Sequence, residues 1–354
     1  MMYWDKTTIE RIRRGYYTAA YFNRTKYILE QEHDETIVTM QIFQRNENSV
    51  LCGVDEMVEL LRIGTGTWRG NRWMGKRQTL KVTALSDGDI VQSKEPVMHI
   101  TGPYVYFAHL ESLYLGIFAR RTMVATNTRR VVEAAKGKPV FFFADRFDDF
   151  SNQEGDGYAA RIGGAAGVCT QAHASRWNGI PVGTIPHALI AVGGGDTTKA
   201  TQRFANHIKD VNVVALVDFD NDCVGTALAV ARALGKKLWG VRIDTAENIT
   251  DVSASSPGVN PTLVMRVRQT LNDAGFTHVK ILVSGGFTEK KVRMFEREKT
   301  PVDGYGVGSA LVHGSNDFTA DVVKVNGKQQ AKAGRMYMAN RRMKGIKNFL
   351  KEEV

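Results

Sequence analysis

Only three cysteines, Cys52, Cys169 and Cys223, occur in the 354 residues, far apart and without a CxxC pair. That excludes a disulfide scaffold and a structural zinc knuckle. No run of 18 uncharged apolar residues is present, so nothing reads as a membrane-spanning helix. Met1 to Lys6 lack the apolar core of a signal peptide, and a cytoplasmic location is expected. Low-complexity linkers and close repeats are missing too. The net charge is +10, yet no recognised nucleic-acid module accompanies it. Its basic residues are dispersed, with Arg11, Arg13 and Arg14 near one end and Arg335, Arg341, Arg342, Lys344, Lys347 and Lys351 near the other. Such a charge fits a solubilising surface or attraction for a phosphorylated metabolite, and nucleic acid is not favoured.

What is present is enough apolar sequence, 43%, for a sizeable core. Short β-rich runs end repeatedly in polar residues. Val213-Val214-Ala215-Leu216-Val217 ends at Asp218, and Leu238-Trp239-Gly240-Val241 ends at Arg242-Ile243-Asp244. Val279-Lys280-Ile281-Leu282-Val283 ends at Ser284-Gly285-Gly286, and the last run is Tyr305-Gly306-Val307-Gly308-Ser309. Helical patterns separate these runs, which predicts βα units with buried parallel strands. Pro139 to Phe143 reads as the first of them. Before it, residues 8–30 read as one helix, Glu35 to Arg45 as a strand, and Val54 to Arg62 as a helix. Thr79 to Leu85 and Pro96 to Ile100 read as strands about a turn at Ser86-Asp87-Gly88-Asp89. Val105 to Phe118 and Thr122 to Lys136 are helical in spacing. Asp321 to Lys328 reads as a strand entering an Asn-Gly turn, returning to the N-terminal part, and the last 15 residues as a basic tail or loose helix. The expected division is an N-terminal mixed α/β domain over 1–108, a barrel over 109–315 and a C-terminal segment over 316–354.

In barrels of βα units the strand C-termini carry the chemistry. Here those ends offer carboxylates first and then two glycine-rich corners. Glycine lets backbone amides approach a phosphate closely. Either corner alone also fits a tight turn without a ligand, but two on successive strands favour phosphate. Asp218 and Asp244 suit Mg²⁺ shared with a pyrophosphate ligand, whereas Asp220 and Asp222 equally fit helix capping. Arg242 suits a carboxylate or a structural salt bridge. His187, in a loop after Pro186, fits a nucleophile or acid/base role as well as an ordinary buried or surface position.

Gly183-Thr184-Ile185-Pro186-His187-Ala188-Leu189-Ile190 resembles the active-site histidine motif of the nicotinate phosphoribosyltransferases. Val241-Arg242-Ile243-Asp244-Thr245, Val283-Ser284-Gly285-Gly286-Phe287 and Gly306-Val307-Gly308-Ser309 are similar to further family motifs, in the family's order. Upstream, Thr18 to Thr25 resembles the N-terminal tyrosine segment, while Glu111 to Gly116 and Val124-Ala125-Thr126 resemble the interdomain helices. The resemblance spans roughly residues 15–325. It implies a type II phosphoribosyltransferase: an α/β protein with an irregular TIM-like barrel beside a strand-rich α+β N-terminal domain. It also implies a homodimer with shared active sites. The reaction it implies joins nicotinate to phosphoribosyl pyrophosphate with Mg²⁺, giving nicotinate mononucleotide and pyrophosphate in NAD biosynthesis. ATP hydrolysis would be coupled through transient phosphorylation of His187. By the same resemblance Tyr21, Arg146, Thr184 and Arg242 bind substrate, and Ser284, Gly285, Gly286, Gly306, Val307, Gly308 and Ser309 hold the 5′-phosphate. Asp218 and Asp244 would position the metal or the ribose hydroxyls.

Two segments depart from the family pattern. Where an Arg-Arg-x-His-Pro-like segment is expected stands Asp145-Arg146-Phe147-Asp148-Asp149-Phe150, and Ala-Tyr-Ile-Gly-Gly is replaced by Ala160-Arg161-Ile162-Gly163-Gly164. Nicotinamide or quinolinate as the base, or a catalytically silent relative, are the alternatives these departures keep open.

Overall fold

The computed structural model describes residues 3–346 and 349. The chain divides into two compact units, Met1–Thr126 with Gly314–Val354, and Asn127–His313.

The first unit is built on a six-stranded antiparallel sheet. Its order is Lys328–Gln329, Phe318–Val325, Ile37–Gln44, Pro96–Pro103, Lys81–Ala84, Lys344–Gly345. The central strand Ile37–Gln44 is buried from Val38 onward, so Met40 meets Val322 on one side and Ile100 on the other. Helix Val54–Gly64 buries Val54, Met57, Leu60, Leu61 and Gly64, the i, i+3, i+4, i+7 stripe of an amphipathic helix. These residues join the strands in one apolar core. The strand expected over 321–328 pairs with Ile37–Gln44 and turns at Asn326-Gly327. Of the basic tail, Lys344–Gly345 forms a short strand, while residues 347, 348 and 350–354 lie outside the described residues.

Two local expectations are corrected, and one element was not foreseen. The single helix over 8–30 is two, Lys6–Arg13 and Ala20–Gln31. Gly15 breaks it at φ +69°, and a Cβ there would lie 2.1 Å from Asn23 Oδ1. The two helical stretches after residue 105 are one helix, Glu111–Ala134, preceded by 3₁₀ turns. A hairpin of Gly66–Arg69 with Arg72–Gly75 was too short to show as period-two alternation.

The second unit carries six short parallel strands: β1 (Val140–Phe142), β2 (Gly167–Val168), β3 (Val214–Leu216), β4 (Gly240–Ile243), β5 (Lys280–Val283) and β6 (Gly304–Val307). Their order is β3-β4-β5-β6-β1-β2. The last strand therefore pairs with the first, which curls the sheet into a partial barrel. One further bridge, Val168 to Pro181, extends it, and among the described residues no ladder links that segment to β3. Several helices between the strands start on side-chain caps, among them Asp222 for Cys223–Leu234, Asn260 for Pro261–Asp273 and Thr288 for Glu289–Arg297. The capping expected of Asp220 or Asp222 thus falls to Asp222. Among the described residues no helix is long and apolar enough to cross a membrane.

Candidate active site

All six strands run the same way, so their C-terminal ends share one rim. There the apolar runs give way to Phe143 and Asp145 after β1, Cys169 after β2, Asp218 after β3, Asp244 after β4, Ser284 after β5 and Gly308 after β6. A cavity of about 290 Å³ opens at this rim, and Arg146, Arg242, Asp244, Ser284, Gly306 and Ser309 are among its lining residues.

Within it, Ser284 Oγ donates to Asp244 Oδ1 at 2.6 Å, and Arg242 Nη2 lies 3.6 Å from Asp244 Oδ2. Arg242 packs its guanidinium 5.8 Å from the Phe143 ring centroid and leaves Nε buried without a partner among the described residues. Burial holds this guanidinium below its ordinary value, with Asp244 and Asp218 opposing. A buried donor that lacks a partner is costly unless a ligand supplies one.

Beside this cavity His187 opens helix His187–Val192 behind the cap residue Pro186. Its Nε2 is 3.0 Å from Asp218 Oδ2, the imidazole being 44% exposed and the carboxylate 7%. Oδ1 of Asp218 is buried and unpartnered. Burial pushes the Asp218 carboxyl up, His187 pulls it back and the Asp244 charge adds to the rise. The Asp244 charge thus acts on a carboxylate with one bare oxygen. Carboxylates of this kind suit a hard divalent cation that takes its other ligands from phosphate. Among the described residues no group of three or more His, Cys, Asp or Glu could hold a metal by itself.

The two glycine corners differ. Gly285 and Gly286 have φ of +86° and +63°, and a Cβ on Gly285 would touch Asp244 at 3.4 Å. Lys291 Nζ, donating to the Gly285 carbonyl at 3.0 Å, braces the loop from behind. At the second corner the glycines make room for rings: a Cβ on Gly306 would meet Phe143 at 2.6 Å, and one on Gly308 would meet Phe147 at 2.4 Å and the Phe143 carbonyl at 2.7 Å. Val307 is fully buried, with its carbonyl taken by the Phe143 amide. It is a strand residue with no side chain at the cavity.

Two predicted residues stand elsewhere. Thr184 lines a neighbouring depression of about 470 Å³ with Phe141, Phe143 and Val214. Tyr21 belongs to the first unit, 62% exposed with its ring 4.3 Å from Phe22. Sequence reading missed Phe143, Phe147, Asp145 and Cys169 as cavity residues. Alternation along β1 was the available signal for Phe143, two residues beyond Phe141. Cys169 is a protonated thiol, pushed by burial up to about 12, with Sγ 3.3 Å from Asp145 Oδ1. A larger depression of about 910 Å³ lies behind the Ser284–Gly286 loop, lined by Glu247, Asn260, Lys290 and Arg297 among others, and holds none of the strand-end residues except Gly286.

Comparison with known proteins agrees with this architecture. Residues 19–122 match the family described as quinolinate phosphoribosyl transferase, N-terminal domain. Nicotinate phosphoribosyltransferase pncB1 of Mycobacterium tuberculosis is 33% identical over 249 residues, 68% of this chain and 52% of that protein. The nicotinate phosphoribosyltransferase of Bacillus subtilis is 26% identical over 234 residues, 65% of this chain and 45% of that protein. This chain therefore spans about half the length of the curated relatives it matches. The crystal structure of nicotinate-nucleotide pyrophosphorylase from Pyrococcus furiosus superposes with a TM-score of 0.81 and 34% identity, over 95% of this chain and 81% of that one. The human nicotinic acid phosphoribosyltransferase shares the fold, with a TM-score of 0.68 at 15% identity over 88% of this chain and 75% of that one. With a mixed α/β fold of this kind and the Pyrococcus furiosus protein, 34% identical, covered over 81% of its length, the chain belongs to the nicotinate phosphoribosyltransferase family of type II phosphoribosyltransferases.

Proposed function

We propose that the chain transfers the phosphoribosyl group of phosphoribosyl pyrophosphate to nicotinate, giving nicotinate mononucleotide and pyrophosphate. The carrying observation is the convergence of Arg242, Asp244 and Ser284 on one cavity at the strand ends. Nicotinate's ring nitrogen forms the bond to the anomeric carbon as the bond to pyrophosphate breaks. No strong protein base is needed, in keeping with a cavity built of binding groups. The bare Nε of Arg242 suits the nicotinate carboxylate, and the Ser284–Gly286 and Gly306–Ser309 corners suit the 5′-phosphate. Asp218 and Asp244 would hold Mg²⁺, which when bound offsets the charge on the departing pyrophosphate.

ATP coupling belongs to the same reading. With Asp218 ionised, its carboxylate can only accept, so His187 Nε2 carries the proton and Nδ1 keeps the lone pair. Nδ1 then takes the γ-phosphoryl group of ATP, releasing ADP, and water later cleaves the phosphohistidine. In a homodimer the exposed Tyr21 would stack on nicotinate held by the partner.

Quinolinate is the second reading, favoured by the match over residues 19–122 and by Arg146 in the cavity wall, a cation available to a second carboxylate. The test supplies purified protein with phosphoribosyl pyrophosphate, Mg²⁺ and nicotinate, nicotinamide or quinolinate, each with and without ATP. Nicotinate mononucleotide made faster from nicotinate with ATP is the expected result. Product from quinolinate with release of carbon dioxide would replace the reading, and no turnover of any base by folded protein would overturn it.

A further inference from the structure

A second cavity, of about 270 Å³, lies wholly within the first unit, and Arg13, Asn23, Lys26, Glu30, Trp68 and His109 are among its lining residues. Its volume is roughly nine times a water's share of the liquid. His109 is fully buried, and among the described residues only the Gly64 backbone approaches a ring nitrogen, with no side-chain partner for either. Among titratable side chains this is an expensive arrangement without a ligand.

The charges around the ring are unbalanced in one direction. Lys26 is buried but satisfied, donating to the carbonyls of Gly66 and Val105 at 2.7 Å each and pairing with Glu30 at 3.3 Å. Arg14 is paired with Glu10 at 3.0 Å. Among the described residues Arg13 has no carboxylate partner. Its Nε donates to the Ile63 carbonyl at 2.8 Å, its guanidinium packs 5.3 Å from the Trp73 ring, and burial alone lowers its affinity for the proton. One positive charge is therefore left over beside an imidazole that keeps one nitrogen without a partner. Burial and the Lys26 ammonium hold His109 well below the usual histidine range, against the Gly64 backbone. The ring is neutral at physiological pH and offers one donor and one acceptor.

We propose that this cavity binds a tetrahedral oxyanion that still carries a proton, hydrogen phosphate being the simplest. Its oxygens accept from Arg13, and its own hydroxyl donates to the unprotonated His109 nitrogen, the ring N–H facing the Gly64 backbone. Sulfate has the same shape and no hydroxyl at neutral pH, so the site should prefer phosphate.

The test is ¹⁵N-histidine NMR of the whole chain, titrated with inorganic phosphate or sulfate at constant ionic strength, the His109 ring being assigned from a His109→Gln sample. A saturable shift of the His109 ring with phosphate is expected, at least fivefold weaker with sulfate. Arg13→Gln should weaken it tenfold or more and Arg13→Lys less than threefold, with circular dichroism reporting the fold. Ser284→Ala should leave the His109 response unchanged, which separates it from phosphate held at the strand ends. No saturable shift in the wild-type protein, equal affinity for sulfate, or undiminished affinity in folded Arg13→Gln would each overturn the proposal. Should Arg13→Gln fail to fold, the phosphate-to-sulfate ratio of the wild type decides.

Discussion

His187 Nε2 and Asp218 Oδ2 stand 3.0 Å apart, and the other oxygen of the same buried carboxylate has no partner. One carboxylate thus orients the imidazole and keeps a lone-pair face for something else. Removing the imidazole should separate these two jobs. His187→Ala is expected to lose ATP stimulation while keeping basal transfer, read by product formation with and without ATP. Unchanged stimulation would dismiss the phosphohistidine.

Asp218→Asn keeps the shape and removes the charge. Because burial raises the Asp218 carboxyl, the folded state disfavours its ionised form above that raised value, and the amide escapes this penalty. The variant should melt at or above the wild-type temperature at pH 8 while ATP stimulation falls at least tenfold. A clear drop in melting temperature would mean that the hydrogen bond between His187 and the carboxylate outweighs the cost of burial.

Arg242 lies against Phe143 with its Nε unpartnered. Arg242→Ala should lower kcat/KM for nicotinate by about 100-fold, the scale of a charge-assisted pair, and change nicotinamide use less than tenfold. Arg242→Lys should not restore the loss, since an ammonium lacks the planar fork. Equal losses on both bases would place Arg242 away from the carboxylate.

Gly308 has no room for a methyl group, which would sit 2.7 Å from the Phe143 carbonyl and 2.4 Å from the Phe147 ring. Gly308→Ala is expected to destabilise the fold by about 1–3 kcal/mol, the usual cost of overpacking, in denaturant unfolding. Gly327→Ala, where a Cβ would meet nothing within 4 Å but φ is +79°, supplies a contrast in which backbone strain acts alone.

Glu111 carries a pH signature of the first unit. Burial first, and the Asp321 charge second, raise its carboxyl to about 7, with Tyr114 and Tyr104 opposing. A raised carboxyl binds its proton more tightly when folded. Its contribution is therefore full below about 4.5, the ordinary value, and lost as pH climbs through about 7, amounting to at most about 3 kcal/mol. Glu111→Gln should flatten wild-type stability over that window and be the more stable form at pH 8, measured by urea unfolding at each pH. A parallel pair of pH curves would refute it.

The barrel strands were legible because a strand buried on both faces is a bare apolar run, and the residue that ends it is the one at the rim. That logic located Asp218, Asp244 and Ser284 without any side-chain geometry. It could not say why each glycine is there. Gly285 has the positive φ that a close-approach loop requires, whereas Gly306 accommodates the Phe143 ring from a strand distant in sequence. Nor does chain order reveal that His187 leans on Asp218, or that Thr184 faces a different depression from Arg242. Such facts depend on side-chain direction after closure. The helix expected over 8–30 failed for a local reason, one left-handed glycine that an apolar period passes over.

Both sheets share a topological habit with a consequence for how the protein is made. β1 must wait for β6, and Ile37–Gln44 must wait for Phe318–Val325. As the chain leaves the ribosome, each sheet has an early strand with an edge that stays open until Gly304–Val307 or Phe318–Val325 emerges. The parallel sheet can close before the antiparallel one, and a nascent chain stalled before Gly304 exposes two unsatisfied edges for other chains to add to.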